Sequence, residues 1–306
     1  MSLYVLILLM VIVMTNPTFE PKYNKVTRCG YCTEITSLSW IPKPDSVIKI
    51  DKTHYVVNDG TGEVHEYNIS SNRSESTESI RKSLSRLRNI INCNASYFMK
   101  WVTLTYSENM QDEKRLYSDF DKFSKRFKYL SKKNGWEVPE YICVAEPQGR
   151  GAWHLHIIYL YCRAPPFIDN NTVLAPLWGH GFTNIKNVDK NIDNLGAYFT
   201  AYLADIPVGD FDSSVPSEGV KEVDGKKYVK GGRLHFYPPY FNLYRTSRGV
   251  KKPIVKKICY KQELQRQIDL SGKETFAYTK TIHFDDNYGD MGNVGIYSKR
   301  YFNKKR

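Results

Sequence analysis

The sequence predicts an α+β fold, an antiparallel β-sheet with helices packed on it and smaller extensions at both ends. Three observations point there. Short apolar runs alternate with period two, and two longer stretches repeat their apolar residues every three or four positions. The order strand, helix, strand, strand, strand, helix closes with short connections. At 306 residues, 41% hydrophobic and 14% aromatic, the chain can bury a full core, so disorder is not the default.

The elements follow in order. Residues 3–14 form an apolar run of 12, shorter than the ~20 needed to span a bilayer. The first basic residue is Lys22 and no small-residue cleavage site follows, so a secretory signal is not expected. A start at Met14 explains the run equally well, and it is set aside from the fold. Thr53–Val57 and Glu63–Ile69 flank Asn58-Asp59-Gly60-Thr61-Gly62 and read as a hairpin, and Ser70–Thr77 reads as a linker. Ile80, Leu84, Leu87 and Ile91 place a helix over Glu78–Ile91. A strand over Trp101–Tyr106 alternates Val102, Leu104 and Tyr106 against Trp101, Thr103 and Thr105. Leu116, Phe120, Phe123, Phe127 and Leu130 give a long helix over 113–133. Strands near 140–146 and 152–161 flank Pro147-Gln-Gly-Arg-Gly151, and another covers Phe182–Val188. Asp193 or Asn194 caps a helix ending near Asp205, and Leu234–Phe236 and Phe241–Tyr244 read as strands. The expected divisions are an N-terminal extension (1–75), a central domain (76–257) and a basic C-terminal extension (258–306).

Charge narrows the function. The net formal charge is +12. Residues 71–133 carry 14 basic and 7 acidic side chains and residues 226–306 carry 19 and 6, so the remainder is negative. Clustered cations predict a polyanionic partner. Arg245, Arg248, Lys251 and Lys252 lie beside Phe241 and Tyr244, the mixture of phosphate-neutralising and base-stacking groups that single-strand binders use; a solvated basic face is the plainer reading of the same run. Six cysteines form no disulfide framework, which fits a reducing compartment. Cys29 and Cys32 suit half of a zinc knuckle or two reduced thiols. No Walker A loop is present, so the chain is not its own helicase.

Three features carry chemistry. His154 and His156, two apart in a strand, point the same way, as a half-built metal site does or as ordinary sheet-surface histidines do. If the hairpin tip is centred on Arg150, opposed residues sum to 300, and Glu146 sits across from His154 on the same face. A one-residue slip would turn Glu146 away. Tyr198 and Tyr202 share a helix face, an arrangement that serves either packing or chemistry.

With those residues in place, the sequence resembles the HUH (His-hydrophobic-His) endonucleases, the rolling-circle replication initiators of bacterial plasmids and phages. Trp101–Tyr106 is similar to the family's first motif, Glu146–His156 to its metal motif, and Gly196-Ala-Tyr-Phe-Thr-Ala-Tyr-Leu203 to its tyrosine motif. The resemblance covers about residues 78–257, including Gly232–Phe236 and Tyr244–Pro253. It implies an RRM-like, ferredoxin-like core and a divalent ion, Mg2+ or Mn2+, on Glu146, His154 and His156. It implies attack by Tyr198 or Tyr202 on single-stranded origin DNA to give a 5′-phosphotyrosine and a 3′-hydroxyl, with Arg150 among the DNA contacts. A host helicase and polymerase would be partners, in the cytoplasm, with no membrane partner. One departure is Asp205, where the family usually has lysine; Lys186, Lys190 or Arg233 could take its place. The competing readings are a relaxase or transposase of the same chemistry and a non-catalytic single-strand binder.

Overall fold

In a computed structural model, the residues described are 20–42, 47–51, 54–57, 61–66, 77–188, 196, 200, 206–207, 219–223, 226–229, 233–238, 240–258, 260–283 and 294–304. The first elements are β1 (Tyr23–Cys29), β2 (Cys32–Leu38), β3 (Val47–Lys49), β4 (His54–Val57), β5 (Val64–Glu66) and helix α1 (Thr77–Cys93). Next come β6 (Phe98–Thr105), α2 (Glu113–Lys133), β7 (Glu140–Pro147), β8 (Trp153–Tyr161), α3 (Ala175–Trp178) and β9 (Thr183–Asn187). The chain continues with β10 (Ile206–Pro207), β11 (Val220–Val223), β12 (Lys226–Val229), β13 (Tyr244–Thr246), β14 (Ile254–Ile258), α4 (Lys261–Asp269), β15 (Lys273–His283) and β16 (Val294–Asn303).

These elements fall into two compact units. One holds residues 47–253 with the Cys29–Tyr31 tip, and the other holds the remaining N-terminal residues up to Ser46 together with Ile254–Arg306. The larger unit is built on an antiparallel five-stranded sheet in the order β13-β7-β8-β6-β9. Its α+β character is the one the apolar periodicities predict.

The period-two pleat gives that sheet two unlike faces. Val102, Leu104, Cys143, Ala145, Leu155, Ile157 and Tyr159 face α2 and pack on Leu116, Phe120, Phe123 and Phe127. Helix α2 starts where Asp112 accepts hydrogen bonds from the Lys114 and Arg115 backbone N–H groups at 2.8 and 3.1 Å, satisfying first-turn donors that would otherwise be orphaned. On the other face Met99, Ile142, Val144, Ile158 and Leu160 pack on Leu87, Ile90 and Ile91 of α1. That apolar patch stops short of the β7–β8 turn, where the same face becomes polar.

Two expected strands differ. Leu234–Phe236 is a 3-10 turn, because its buried residues, Leu234 and Tyr237, are three apart rather than two. The last sheet strand is Tyr244–Thr246, preceded by Phe241 and Leu243, which are buried in the α2-side core. The helix placed near 193–205 is represented among the described residues by Gly196 and Thr200, both helical.

The smaller unit has a five-stranded antiparallel sheet ordered β14-β1-β2-β16-β15. Strands from the two ends of the sequence alternate in it. Val26, Ile35, Ile258 and Phe302 form its core under Leu264 and Ile268 of α4.

Candidate active site

The β7–β8 hairpin positions the three ligand candidates. Gly151 adopts φ +83°, a left-handed conformation that glycine tolerates without strain. Its N–H donates to Gln148 O at 2.9 Å, and Gln148 N–H donates to Ala152 O at 2.8 Å. The turn therefore registers Glu146 opposite His154 and Val144 opposite His156. On the other side of β8, Thr105 pairs with His154 and Thr103 with His156. Glu146, His154, His156, Thr103 and Thr105 consequently share one face.

Within this group His156 Nε2 and Glu146 Oε2 share a short hydrogen bond. The His156 ring is steadied from behind: Trp101 Nε1 donates to Thr103 Oγ1 at 3.0 Å, and Thr103 Oγ1 lies 3.3 Å from His156 Nδ1. Trp101 and His156 ring centroids are 5.0 Å apart. The donor order closes for a neutral imidazole when the Thr103 hydroxyl donates to Nδ1 and Nε2–H donates to Glu146. His154 and His156 ring centroids are 6.4 Å apart.

Arg233 is a neighbour the sequence did not assign to this carboxylate. Its Nη2 is 3.1 Å from Glu146 Oε1, and its Nη1 donates to Pro147 O. The side chains of Glu146 and Arg233 are 13% and 12% exposed, so this is a largely desolvated pair. Burial acts to raise the Glu146 carboxyl, but the hydrogen bond and charge of His156 and the charge of Arg233 outweigh it and hold Glu146 below its usual value. Burial pushes His154 down to about 4, Glu146 opposing and the nearby cations assisting, so His154 is a neutral imidazole at neutral pH. Among the described residues no group of three His, Cys, Asp or Glu side chains stands ready-arranged for a metal ion; Glu146 closes instead on His156 and Arg233.

Tyr198 and Tyr202 lie outside the described residues, as do Lys190 and Asp205. Their helix is anchored by a contact that is described. Gly196 N–H donates to Asn92 Oδ1 at 2.9 Å, and a Cβ on Gly196 would come within 2.2 Å of Arg88 O. Gly196 thus packs backbone to backbone on α1, the helix that covers the histidine face. Thr200 Oγ1 donates to Gly196 O at 2.8 Å. Lys186, registered opposite Trp101, is exposed on the histidine face.

The basic residues separate. Arg150 is exposed at the hairpin tip with Nε 3.2 Å from Gln148 Oε1. Arg248, Lys251 and Lys252 are exposed, and the Lys251 backbone is held by both ends of the Asn94 amide, at 2.9 and 3.1 Å. Arg245 is different. Paired opposite Cys143, it projects to the α2 side, lies 3.5 Å over the Tyr117 ring and is 3.9 Å from Asp121. Strand alternation in β13 therefore removes Arg245 from the face that carries the histidines.

Of the suggested zinc pair, Cys29 is buried and Cys32 partly so. The thiol neighbour of Cys29 is Cys93, whose pKa is lowered first of all by the hydrogen bond from Cys29. Spacing along the sequence carried no signal of that contact.

A sheet-borne carboxylate with two imidazoles beside it is the kind of site that holds a divalent ion against phosphate oxygens. A family model for replication-associated proteins of the ORF2 type matches residues 99–206. The matched stretch, roughly a third of the chain, contains Glu146, His154, His156, Tyr198 and Tyr202. It supports a replication-associated, initiator-like protein. No curated protein and no solved structure matches the chain significantly. Among the described residues no helix is long and apolar enough to cross a membrane.

Proposed function

We propose that the protein is a rolling-circle replication initiator of the HUH type, nicking and rejoining single-stranded origin DNA through a tyrosine nucleophile with a divalent cation at Glu146, His154 and His156. The observation that carries this reading is the hairpin register, which sets Glu146 opposite His154 and both beside His156, within the stretch matched by the replication-associated family.

The donor set fits Mn2+ or Mg2+. It offers one carboxylate and two imidazoles, with His154 held neutral, and leaves open positions for phosphate oxygens. An ion there would polarise the scissile phosphate. His156 offers Nε2 once its proton resides on Nδ1, where Thr103 Oγ1 can accept it. Arg233 beside Glu146 adds positive charge for a phosphate, and Lys186 supplies an exposed cation where the usual lysine is replaced by Asp205.

In the reaction a phenol oxygen of Tyr198 or Tyr202 attacks the phosphorus and surrenders its proton. The bond from phosphorus to the 3′ oxygen breaks, and that oxygen takes up a proton to become a 3′-hydroxyl primer for a host polymerase. The 5′ end stays on the tyrosine, so a later 3′-hydroxyl can displace it and regenerate the phenol. Attachment of Gly196 to α1 supports a tyrosine helix that begins on the histidine face.

The test is incubation with single-stranded DNA from the region flanking the gene and Mn2+ or Mg2+, resolved on a denaturing gel. Wild type should become covalently attached to the 5′ side of a nick. The double variant Tyr198→Phe/Tyr202→Phe should bind that DNA and form no adduct; an adduct from the double variant would overturn the nucleophile assignment, and binding without cleavage by wild type would leave the single-strand-binding reading in its place.

A further inference from the structure

The smaller unit carries a second surface, on the sheet face opposite α4. We propose that this face, formed chiefly by β15 and β16, binds single-stranded DNA by stacking bases on its rings. The residues are placed there by register. Phe276 pairs with Tyr301, Tyr278 with Lys299 and Lys280 with Tyr297. Directly opposed residues share a face, so four rings and two lysines form one patch.

The rings are neighbours in the plane of the sheet. Phe276 and Tyr278 centroids are 5.9 Å apart, Phe276 and Tyr301 5.8 Å, and Tyr278 and Tyr297 6.0 Å. Lys280 Nζ lies 5.0 Å from the Tyr297 centroid and Lys299 Nζ 5.4 Å from that of Tyr301. Phe276 is 59% exposed and Tyr278 38% exposed. This is not the core of the unit: Val26, Ile35, Ile258 and Phe302 are buried on the opposite side of the same sheet, under α4. An edge strand with large rings on its open face normally invites aggregation unless a partner uses it.

Charge decides the class of partner. Lys25 and Lys257 are registered with each other and alternate with the core residues Val26 and Ile258, so they lie on the ring-bearing face and are exposed. Against these and the two lysines of the patch, the registered acid is Glu34, which holds Lys299 at 2.9 Å. Lysines flanking exposed rings meet the two needs of a single strand, phosphate neutralisation and a π-surface for unpaired bases. Duplex DNA keeps its bases stacked on one another and gains only the first. The proposal stands on this unit alone and does not depend on the cleavage chemistry of the other.

The experiment uses the full chain and labelled oligodeoxythymidine, which lacks any origin sequence, with binding read by fluorescence anisotropy. The double variant Phe276→Leu/Tyr278→Leu keeps side-chain bulk and removes both rings, and it should weaken binding about tenfold or more. Phe276→Trp/Tyr278→Trp should restore it, and affinity for duplex of the same length should be the same in all three proteins. The loss should also appear on a His154→Ala background, which separates this surface from the proposed metal site. Unchanged single-strand affinity, or an equal loss on duplex, would overturn the proposal. Should the leucine variant melt early, ultraviolet crosslinking of wild type to the same oligonucleotide decides: adducts mapping to residues 273–283 or 294–304 are expected, and adducts confined to other segments would refute it.

Discussion

The two faces of the central sheet are made by the same strands and do different work. Along β8 the odd residues Trp153, Leu155, Ile157, Tyr159 and Tyr161 are all buried against the α2 side. The even residues change character midway, from His154 and His156 to Ile158 and Leu160. One face is apolar from end to end, while the other is apolar only where α1 covers it. Polar ligands gathered at one end of a half-covered face are expensive to desolvate, and here they are satisfied by one another and by Arg233. Such a site is built for exchange of partners rather than for stability.

This contrast makes substitutions one residue apart act in opposite ways. The largest expected effect is on cleavage: His154→Ala should reduce metal-dependent nicking at least about 100-fold, since a cation's share in stabilising phosphate charge is several kcal/mol and each ~1.4 kcal/mol is tenfold. Its melting temperature should hardly move. Its neighbour Leu155, 0% exposed, should show the reverse: Leu155→Ala should cost about 2–5 kcal/mol in denaturant unfolding and leave the metal ligands in register. Nicking lost only in step with stability for both would erase the distinction between the faces.

An intermediate effect is expected at Gly196. A methyl group there would meet Arg88 O at 2.2 Å, so Gly196→Ala should cost about 1–3 kcal/mol and push the helix bearing the tyrosines off α1. Covalent adduct formation should fall while Mn2+ affinity, measured by calorimetry, is retained. A neutral outcome would mean that the contact is not needed to place the tyrosines.

The smallest effect distinguishes two arginines three residues apart. Arg248→Ala should reduce the salt dependence of DNA binding by about one unit of slope, the share of one phosphate contact. Arg245→Ala should leave the slope unchanged and lower stability by about 1 kcal/mol, through loss of its contact with the Tyr117 ring. A slope change at Arg245 alone would reverse the assignment of faces in β13.

What the sequence carried was local. The alternation of β8, the α2 periodicity from Leu116 to Phe127, and the turn centred on Arg150 were legible because each depends on residues within one element or one hairpin. From that turn alone the opposition of Glu146 and His154 followed. What depends on distant pairing was not legible. The smaller sheet joins Thr33 to Phe302 and Arg28 to Ile254, and no period within either segment announces the other. Cys29-Gly-Tyr-Cys32 reads by spacing as a metal half-site, whereas its Gly30 at φ +58° turns β1 into β2. Arg245 belonged to a run of cations, and only its registration opposite Cys143 shows that it points away. The Arg233–Glu146 pair bridges two segments far apart in sequence, and a buried ion pair of that kind leaves no trace in composition.

The most direct measurement is an anomalous difference map from crystals soaked in Mn2+. A single strong peak bonded to Glu146, His154 and His156, with His156 turned from its present hydrogen bond to Glu146, is the predicted result. A peak on other residues, or Mn2+ absent from this face at concentrations that support nicking, would contradict the assignment of the site.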